Sequence, residues 1–309
     1  MTWRGKNRTL QILASAEKGR YGVLAAIVYN VEHITAFVRA AENRRSPLIL
    51  QLFPSSLEQT PPLIHAAAAA ARSASVPVSV HLDHAQDSEQ IQYVADNLPF
   101  DSIMVDMSHY EKEENLAKTR ALREYCHGRG IAVEAETGYI EGGEDGIVGT
   151  GDLEGILTTS EDVEQFLDAG VDLLAPSVGN LHGDYGPRGP QLDMNQSVAE
   201  REAWVFRTDS CRLHQVGRAL NGRARLVLHG TNDFPPELCR ACVAVGVTKF
   251  NVNKLVLDPW HEHLRRNVNK PLTQLMGEGI EVLTREMEKW MDVVGSSGMA
   301  DTAGAPATP

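Results

Sequence analysis

Eight short β-rich runs recur along this chain, each followed by a longer stretch of helical period. They read YGVLAAIVY (21–29), PLILQLF (47–53), PVSVHLD (77–83), SIMVDMS (102–108), IAVEAET (131–137), DLLAPSV (172–178), RLVLHG (225–230) and TKFNVN (248–253). Between them stand VEHITAFVRAAENRR, LIHAAAAAARSA, DSEQIQYVADN, LAKTRALREYCHGRG, SEDVEQFLDAG and PPELCRACVAVG, each ending near Gly, Asn or Pro, where helices stop. Eight β-α units in succession predict a closed parallel (β/α)8, or TIM, barrel. The rival is a doubly wound open sheet. It is disfavoured because no GxGxxG follows the first strand and because polar residues end many different strands.

A chain of 309 residues fits one or two domains on length alone, and the repeated unit makes residues 1–294 one barrel. The remainder, 295–309, has small residues without apolar period and is expected to be disordered. Two segments break the rhythm. Residues 138–151 are glycine-rich with interspersed acids and predict a mobile loop after the fifth strand, and 179–210 predict a long Gly/Pro-rich connection after the sixth. The helical stretch LTQLMGEGIEVLTREMEKWMDVV predicts core or subunit-contact surface.

Lys and Arg number 29 against 41 Asp and Glu, a net charge of −12. That balance argues against nucleic acid or an anionic membrane as partner, since phosphate binding draws on clustered basic charge. No run is long and apolar enough for a secretory signal or a membrane span, so a cytoplasmic protein is expected. The Cys239-x-x-Cys242 pair lies in an amphipathic helical stretch without a second pair at zinc-finger spacing, and is read as two small core residues.

In a β/α barrel the carboxyl ends of the strands line the active site, and here they carry metal-binding types. The third strand ends His81-Leu82-Asp83-His84, the fourth Asp106-Met107-Ser108-His109, the fifth holds Glu134 and Glu136, the sixth runs into Asn180-Leu181-His182-Gly183, the seventh ends His229-Gly230, and the eighth ends Asn251-Val252-Asn253. A catalytic zinc takes three protein ligands and leaves a position open. His84, His182 and His229 stand at equivalent strand ends and are the candidate ligands. His81 falls on the face of Asp83 and is read as packed or orienting. Asp83 is placed either to move a proton at a bound substrate or to orient a histidine. Glu141, Glu144 and Asp145 sit on the glycine-rich loop, which can carry an acid over the barrel mouth.

These motifs resemble the zinc-dependent class II ketose-bisphosphate aldolases, which cleave fructose or tagatose 1,6-bisphosphate. The likeness runs from about residue 9 to 290 through VSVHLDHAQD, DSIMVDMSH, VEAETGYIEGGEDG, SVGNLHGDYGP, LVLHGTNDFP and KFNVNK. The resemblance implies that His84, His182 and His229 bind Zn2+, that Asp83 is the acid/base on the aldehyde-derived oxygen, and that Glu144 exchanges the proton at the enediolate carbon. It further implies a second or alternative metal position at Asp106 and Glu136, a substrate contact at Asn251, a monovalent cation (Na+ or K+) on backbone oxygens near the strand-six and strand-seven glycines, and a homodimer or larger homo-oligomer. A metal that stabilises an enediolate needs no Schiff-base lysine, and Lys254 is the one lysine at a strand end.

Departures gather where that family holds phosphate. The usual His-Gly-Gly-Ser-Gly reads His229-Gly230-Thr231-Asn232-Asp233, a hydroxyl donor in the eighth-strand motif has become Lys254, the usual Tyr-Lys-Gly is replaced at Asp184-Tyr185-Gly186, and the first-strand motif reads Ala26-Ile27-Val28-Tyr29-Asn30. Two readings follow. Either Lys254 with Gly183, Gly230 and Asn232, helped by Arg188, rebuilds a phosphate site, with Asn30 and Asn251 on the substrate, or the substrate is an unphosphorylated or carboxylated hydroxy-ketone. A non-catalytic metabolite-binding relative would have lost its catalytic residues together with its binding ones. A zinc hydrolase commonly begins with His-x-His on the first strand, which is absent here.

Overall fold

The computed structural model describes residues 2–142, 156–190, 192 and 212–302. Eight parallel strands close into a barrel: β1 (Val23–Ile27), β2 (Leu48–Leu52), β3 (Val78–Ala85), β4 (Ser102–Val105), β5 (Ala132–Thr137), β6 (Leu173–Pro176), β7 (Arg225–Leu228) and β8 (Val247–Val252), with β1 pairing both β2 and β8. Each lies within or beside its predicted run. Closure buries both faces of every strand, so these segments read as apolar runs with few outward polar positions.

Period two divides the side chains. In β1, Leu24 and Ala26 face the surrounding helices, while Val23 and Ala25 face the barrel axis. The lower interior is apolar. Ile12, Leu13 and Ala16 of the helix Arg8–Gly19 pack beneath Val23, Ala25, Ile49, Ala132, Leu173 and Val227 and plug the amino-terminal end. Burial of each large aliphatic side chain there contributes about 1.5–3 kcal/mol relative to exposure. Higher along the axis the same inward positions turn polar: Gln51, Ser79, His81, Asp83, Glu134, Glu136 and Lys249 are all buried.

Cys239 and Cys242 lie buried in the helix Pro236–Val245, as the amphipathic reading expects. The expected disorder after 294 does not hold over 295–302. Gly298 N and Ala300 N bond to the carbonyls of Arg44 and Arg45, Ser296 Oγ meets Ser46 Oγ at 2.8 Å, and Ala300 is buried. Small residues here serve a close approach to the end of the helix Val31–Arg44, which an apolar-period argument does not register. The front of the glycine-rich loop also packs. Tyr139 and Ile140 are buried, and Glu141–Gly142 forms a two-residue parallel pairing with Leu181–His182. Among the described residues no helix is long and apolar enough to cross a membrane.

Candidate active site

The polar upper layer converges on three imidazoles. His84, at the end of β3, presents Nε2 to Nδ1 of His229, just past β7, at 3.0 Å. The His182 ring centroid lies 4.8 Å from that of His84 and 5.6 Å from that of His229. Together with Glu136 these histidines offer ligand atoms all within 4.8 Å of one another, a group that could hold a metal ion.

Local backbone explains how neighbours come to share this mouth. In a regular strand Asp83 and His84 would face opposite sides. His84 instead adopts φ +49°, and the β3–β4 register shifts between Leu82 and Ala85. A non-glycine residue in the left-handed region is uncommon and costs backbone energy that the surrounding bonds must offset. The glycines flanking His182 have a similar origin. A Cβ at Gly142 (φ +92°) would lie 1.9 Å from the His182 carbonyl oxygen, and one at Gly230 (φ +63°) 2.2 Å from that of Leu181, so only glycine lets the 181–182 segment slot between its neighbours.

Carboxylates already hold the outer nitrogens of two rings. His84 Nδ1 lies 2.9 Å from Asp106 Oδ2, and His229 Nε2 lies 2.9 Å from Glu134 Oε1. A carboxylate accepts, so each ring places an N–H there, and the inner nitrogens at 3.0 Å would meet lone pair to lone pair. Something positive has to lie between them. In the metal-free molecule it is a proton: burial lowers His84, but Asp83 and Asp106 outweigh it and push it up to about 10. Burial pulls His229 down to about 4. A metal ion satisfies the same requirement. Glu136 Oε2 is buried without a hydrogen-bond partner, and burial together with Asp106 pushes that carboxyl up to about 8. A donor set of imidazoles plus an unbonded buried carboxylate oxygen fits a borderline cation such as Zn2+.

Beside the cluster Asp83 is anchored from two sides, by Gln51 Nε2 at 3.1 Å and by Asn251 Nδ2 at 3.2 and 3.0 Å. Burial would raise its carboxyl, yet His84, His81 and Lys249 together hold it well below the usual range. His81 is buried with Nδ1 on Ser102 Oγ and Nε2 3.6 Å from Asp83, the packed position expected of it.

The other candidates are distributed as follows. The Asp106 carboxylate is taken up by His84, Gln86 and Ser108. Asn30 caps the helix Val31–Arg44 through His33 N, which commits its side-chain oxygen. Asn232 Nδ2 bonds to the Gly183 carbonyl at 3.2 Å, Gly230 stands beside Leu181, and Lys254 is ion-paired to Asp184. His109 is exposed. Glu144, Asp145 and the side chain of Arg188 lie outside the described residues.

Two residues of the site escaped the reading of strand ends. Gln51 and Lys249 lie inside strands, on the axial face. Lys249 is fully enclosed, its Nζ 2.8 Å from both Glu134 Oε2 and Asn251 Oδ1. The available signal was a polar residue at an inward period-two position of an otherwise apolar run.

This arrangement, a cation-demanding histidine cluster beside an anchored carboxylate at the open end of a β/α barrel, agrees with what the chain is similar to. The family model for class-II fructose-bisphosphate aldolase matches residues 7–299. The "Putative fructose-bisphosphate aldolase" of Coccidioides immitis (strain RS) is 44% identical over 304 residues, 96% of this chain and 95% of that one. The fructose-bisphosphate aldolase of Streptococcus pneumoniae serotype 4 is 29% identical over 310 residues, 94% and 98% of the two chains. A crystal structure from Coccidioides immitis superposes with a TM-score of 0.88 at 45% identity, covering 96% of this chain and 98% of that one. With fold, site and sequence in agreement, the chain belongs to the class-II fructose-bisphosphate aldolase family, whose members are aldehyde-lyases.

Proposed function

We propose that this chain is a zinc-dependent aldolase that cleaves a ketose bisphosphate such as fructose 1,6-bisphosphate to dihydroxyacetone phosphate and an aldehyde. The observation that carries the reading is the 3.0 Å approach of His84 Nε2 and His229 Nδ1, whose far nitrogens are bound by carboxylates, with Asp83 beside them. His84, His182 and His229 would hold the ion. When bound, zinc supplies Lewis-acid stabilisation for the negative charge that carbon–carbon cleavage leaves on the enediolate. Asp83, ionised and oriented by Gln51 and Asn251, accepts the proton of the hydroxyl that becomes the aldehyde and returns it in the condensation direction. Glu144, whose position rests on the family likeness, exchanges the proton at the enediolate carbon.

Gly183, Gly230, Asn232, Asn251 and Lys254, which lie on or just after β6 to β8, and Asn30, which follows the neighbouring β1, are the residues assigned to the substrate and its phosphate. One observation favours a second reading. Lys254 is engaged by Asp184, and Asp258 and Asp233 also act on it, so an incoming phosphate must compete with carboxylates for that cation; an unphosphorylated or carboxylated hydroxy-ketone need not. Metal analysis combined with cleavage assays on fructose 1,6-bisphosphate, tagatose 1,6-bisphosphate and their monophosphates, with Asp83→Ala as control, tests both. About one zinc per chain with Asp83-dependent triose phosphate release supports the first reading. Zinc without bisphosphate cleavage transfers support to the second, and absence of zinc removes both.

A further inference from the structure

Below the histidines lies a buried network that family likeness and strand-end motifs leave without a role. Its centre is Lys249, fully enclosed on the axial face of β8. The ammonium is ion-paired with Glu134 Oε2 at 2.8 Å and donates to Asn251 Oδ1 at 2.8 Å. Each of these partners touches the site. Glu134 uses its other oxygen on His229 Nε2, and Asn251 turns its amide nitrogen to both oxygens of Asp83.

The chemistry of donors makes this chain directional. A lysine ammonium donates and cannot accept. It therefore fixes the Asn251 side chain with oxygen inward and NH2 toward Asp83; reversed, that side chain would set an NH2 against the ammonium and an oxygen against a carboxylate. On the other branch the ammonium balances Glu134, leaving a carboxylate to accept from His229 Nε2. The His229 hydrogen then sits on Nε2, where the Asn251 amide 3.1 Å away spends its hydrogens on Asp83, and the lone pair on Nδ1 faces the cluster. Without Lys249, Glu134 would be a buried carboxylate that has lost its ammonium partner.

We propose that Lys249 is the positioning residue of this centre, setting the tautomer of His229 through Glu134 and the orientation of Asn251 toward Asp83 through a hydrogen bond. The inference rests on the metal and acid/base roles given above. It also accounts for a buried lysine near the reacting groups without a covalent role, because its nitrogen is spent on two oxygens inside the barrel wall.

Glu134→Gln alone and the double variant Lys249→Met/Glu134→Gln provide the test, with circular dichroism and thermal melting to verify folding. Each is stripped of metal and titrated with Co2+, followed by its visible d–d absorption. In the single variant Lys249 claims the Gln oxygen and turns its NH2 onto His229 Nε2, which moves the ring hydrogen to Nδ1, where a ligand needs its lone pair. Co2+ affinity should fall by about 100-fold. Removing the ammonium as well frees the Gln oxygen to face His229, and the double variant should regain about tenfold or more of that loss. Its kcat on fructose 1,6-bisphosphate should remain about tenfold or more below that of the unaltered protein with KM nearly unchanged, since Asn251 has lost its anchor. A purely structural pair would let the second substitution restore melting temperature, Co2+ affinity and kcat together, whereas a positioning role restores Co2+ affinity and leaves kcat low. Equal Co2+ affinity in the single and double variants, or recovery of full kcat in the double, overturns the proposal while leaving the metal site standing. An unaltered protein that shows no Co2+ band overturns the metal reading and this proposal together.

Discussion

The phenol of Tyr185 bridges to the carbonyl of Gly230, donating at 2.6 Å while accepting from Leu181 N at 3.0 Å. One hydroxyl thereby ties the segment carrying His182 to the residue after His229. Tyr185→Phe strands a partly buried N–H and a carbonyl oxygen. The expected loss is about 1–3 kcal/mol of stability together with weaker metal binding, read from urea denaturation and Co2+ titration. Destabilisation with unchanged metal affinity would show that the tie supports the loops and not the cluster.

Asp83→Asn keeps the side-chain volume but removes the proton acceptor. We expect kcat to fall by about 10²- to 10⁴-fold while zinc content stays at the unaltered level. Loss of zinc in this variant would reassign Asp83 from proton transfer to support of the metal cluster.

Chelation should abolish cleavage and lower the melting temperature, and added Zn2+ should restore both. At a hundredfold excess over Kd the ion stabilises by about 2.7 kcal/mol. Asp106→Ala, which frees His84 Nδ1, should weaken zinc by about 10- to 100-fold. Differential scanning calorimetry with and without metal measures both effects.

His33 supplies a pH signature away from the histidine cluster. It is buried between Phe37 and Trp260, Nδ1 accepts from Tyr29 N, and burial, aided by His261, lowers it from 6.5 to about 4. The unfolded chain thus binds one more proton than the folded one between those values. The stability this contributes is complete above pH 6.5 and is lost as pH falls toward 4, by about 1.4 kcal/mol per pH unit. Glu136, raised to about 8, acts with the opposite sign over part of the same interval, so the difference between unaltered protein and His33→Phe is the quantity to measure. Parallel stability–pH curves for the two would refute the assignment.

Gly142→Ala and Gly130→Ala separate backbone strain from collision. Both glycines have positive φ, yet a Cβ at Gly130 meets nothing within 4 Å while one at Gly142 strikes the His182 carbonyl. The Gly130 variant should cost about 1–2 kcal/mol, and the Gly142 variant more, with a loss of Co2+ affinity that the first does not show.

The barrel was legible because its strands are bounded apolar runs and because burial on both faces leaves polar residues visible at their ends. That His84, His182 and His229 gather at one mouth was legible for the same reason. That Asp83 and His84 share one mouth was not, since strict alternation separates them and the left-handed turn at His84 carries no residue signature. Strand ends carry no signal for Lys249 and Gln51, which occupy buried inward positions one turn of the pleat deeper. The packed stretch 295–302 was misread because Ser296 and Ala300 dock through small size and backbone bonds, which leave no periodic pattern.

The helix Arg8–Gly19, wedged under the apolar lower layer, makes the barrel a vessel with a floor. Among the described residues traffic is therefore confined to one doorway. A molecule reaching Asp83 must back out the way it came, and fragments formed there leave through that same mouth. A ligand lodged across the rim thus obstructs entry and exit together, and slow release of either fragment would set the pace however fast the bond between them breaks.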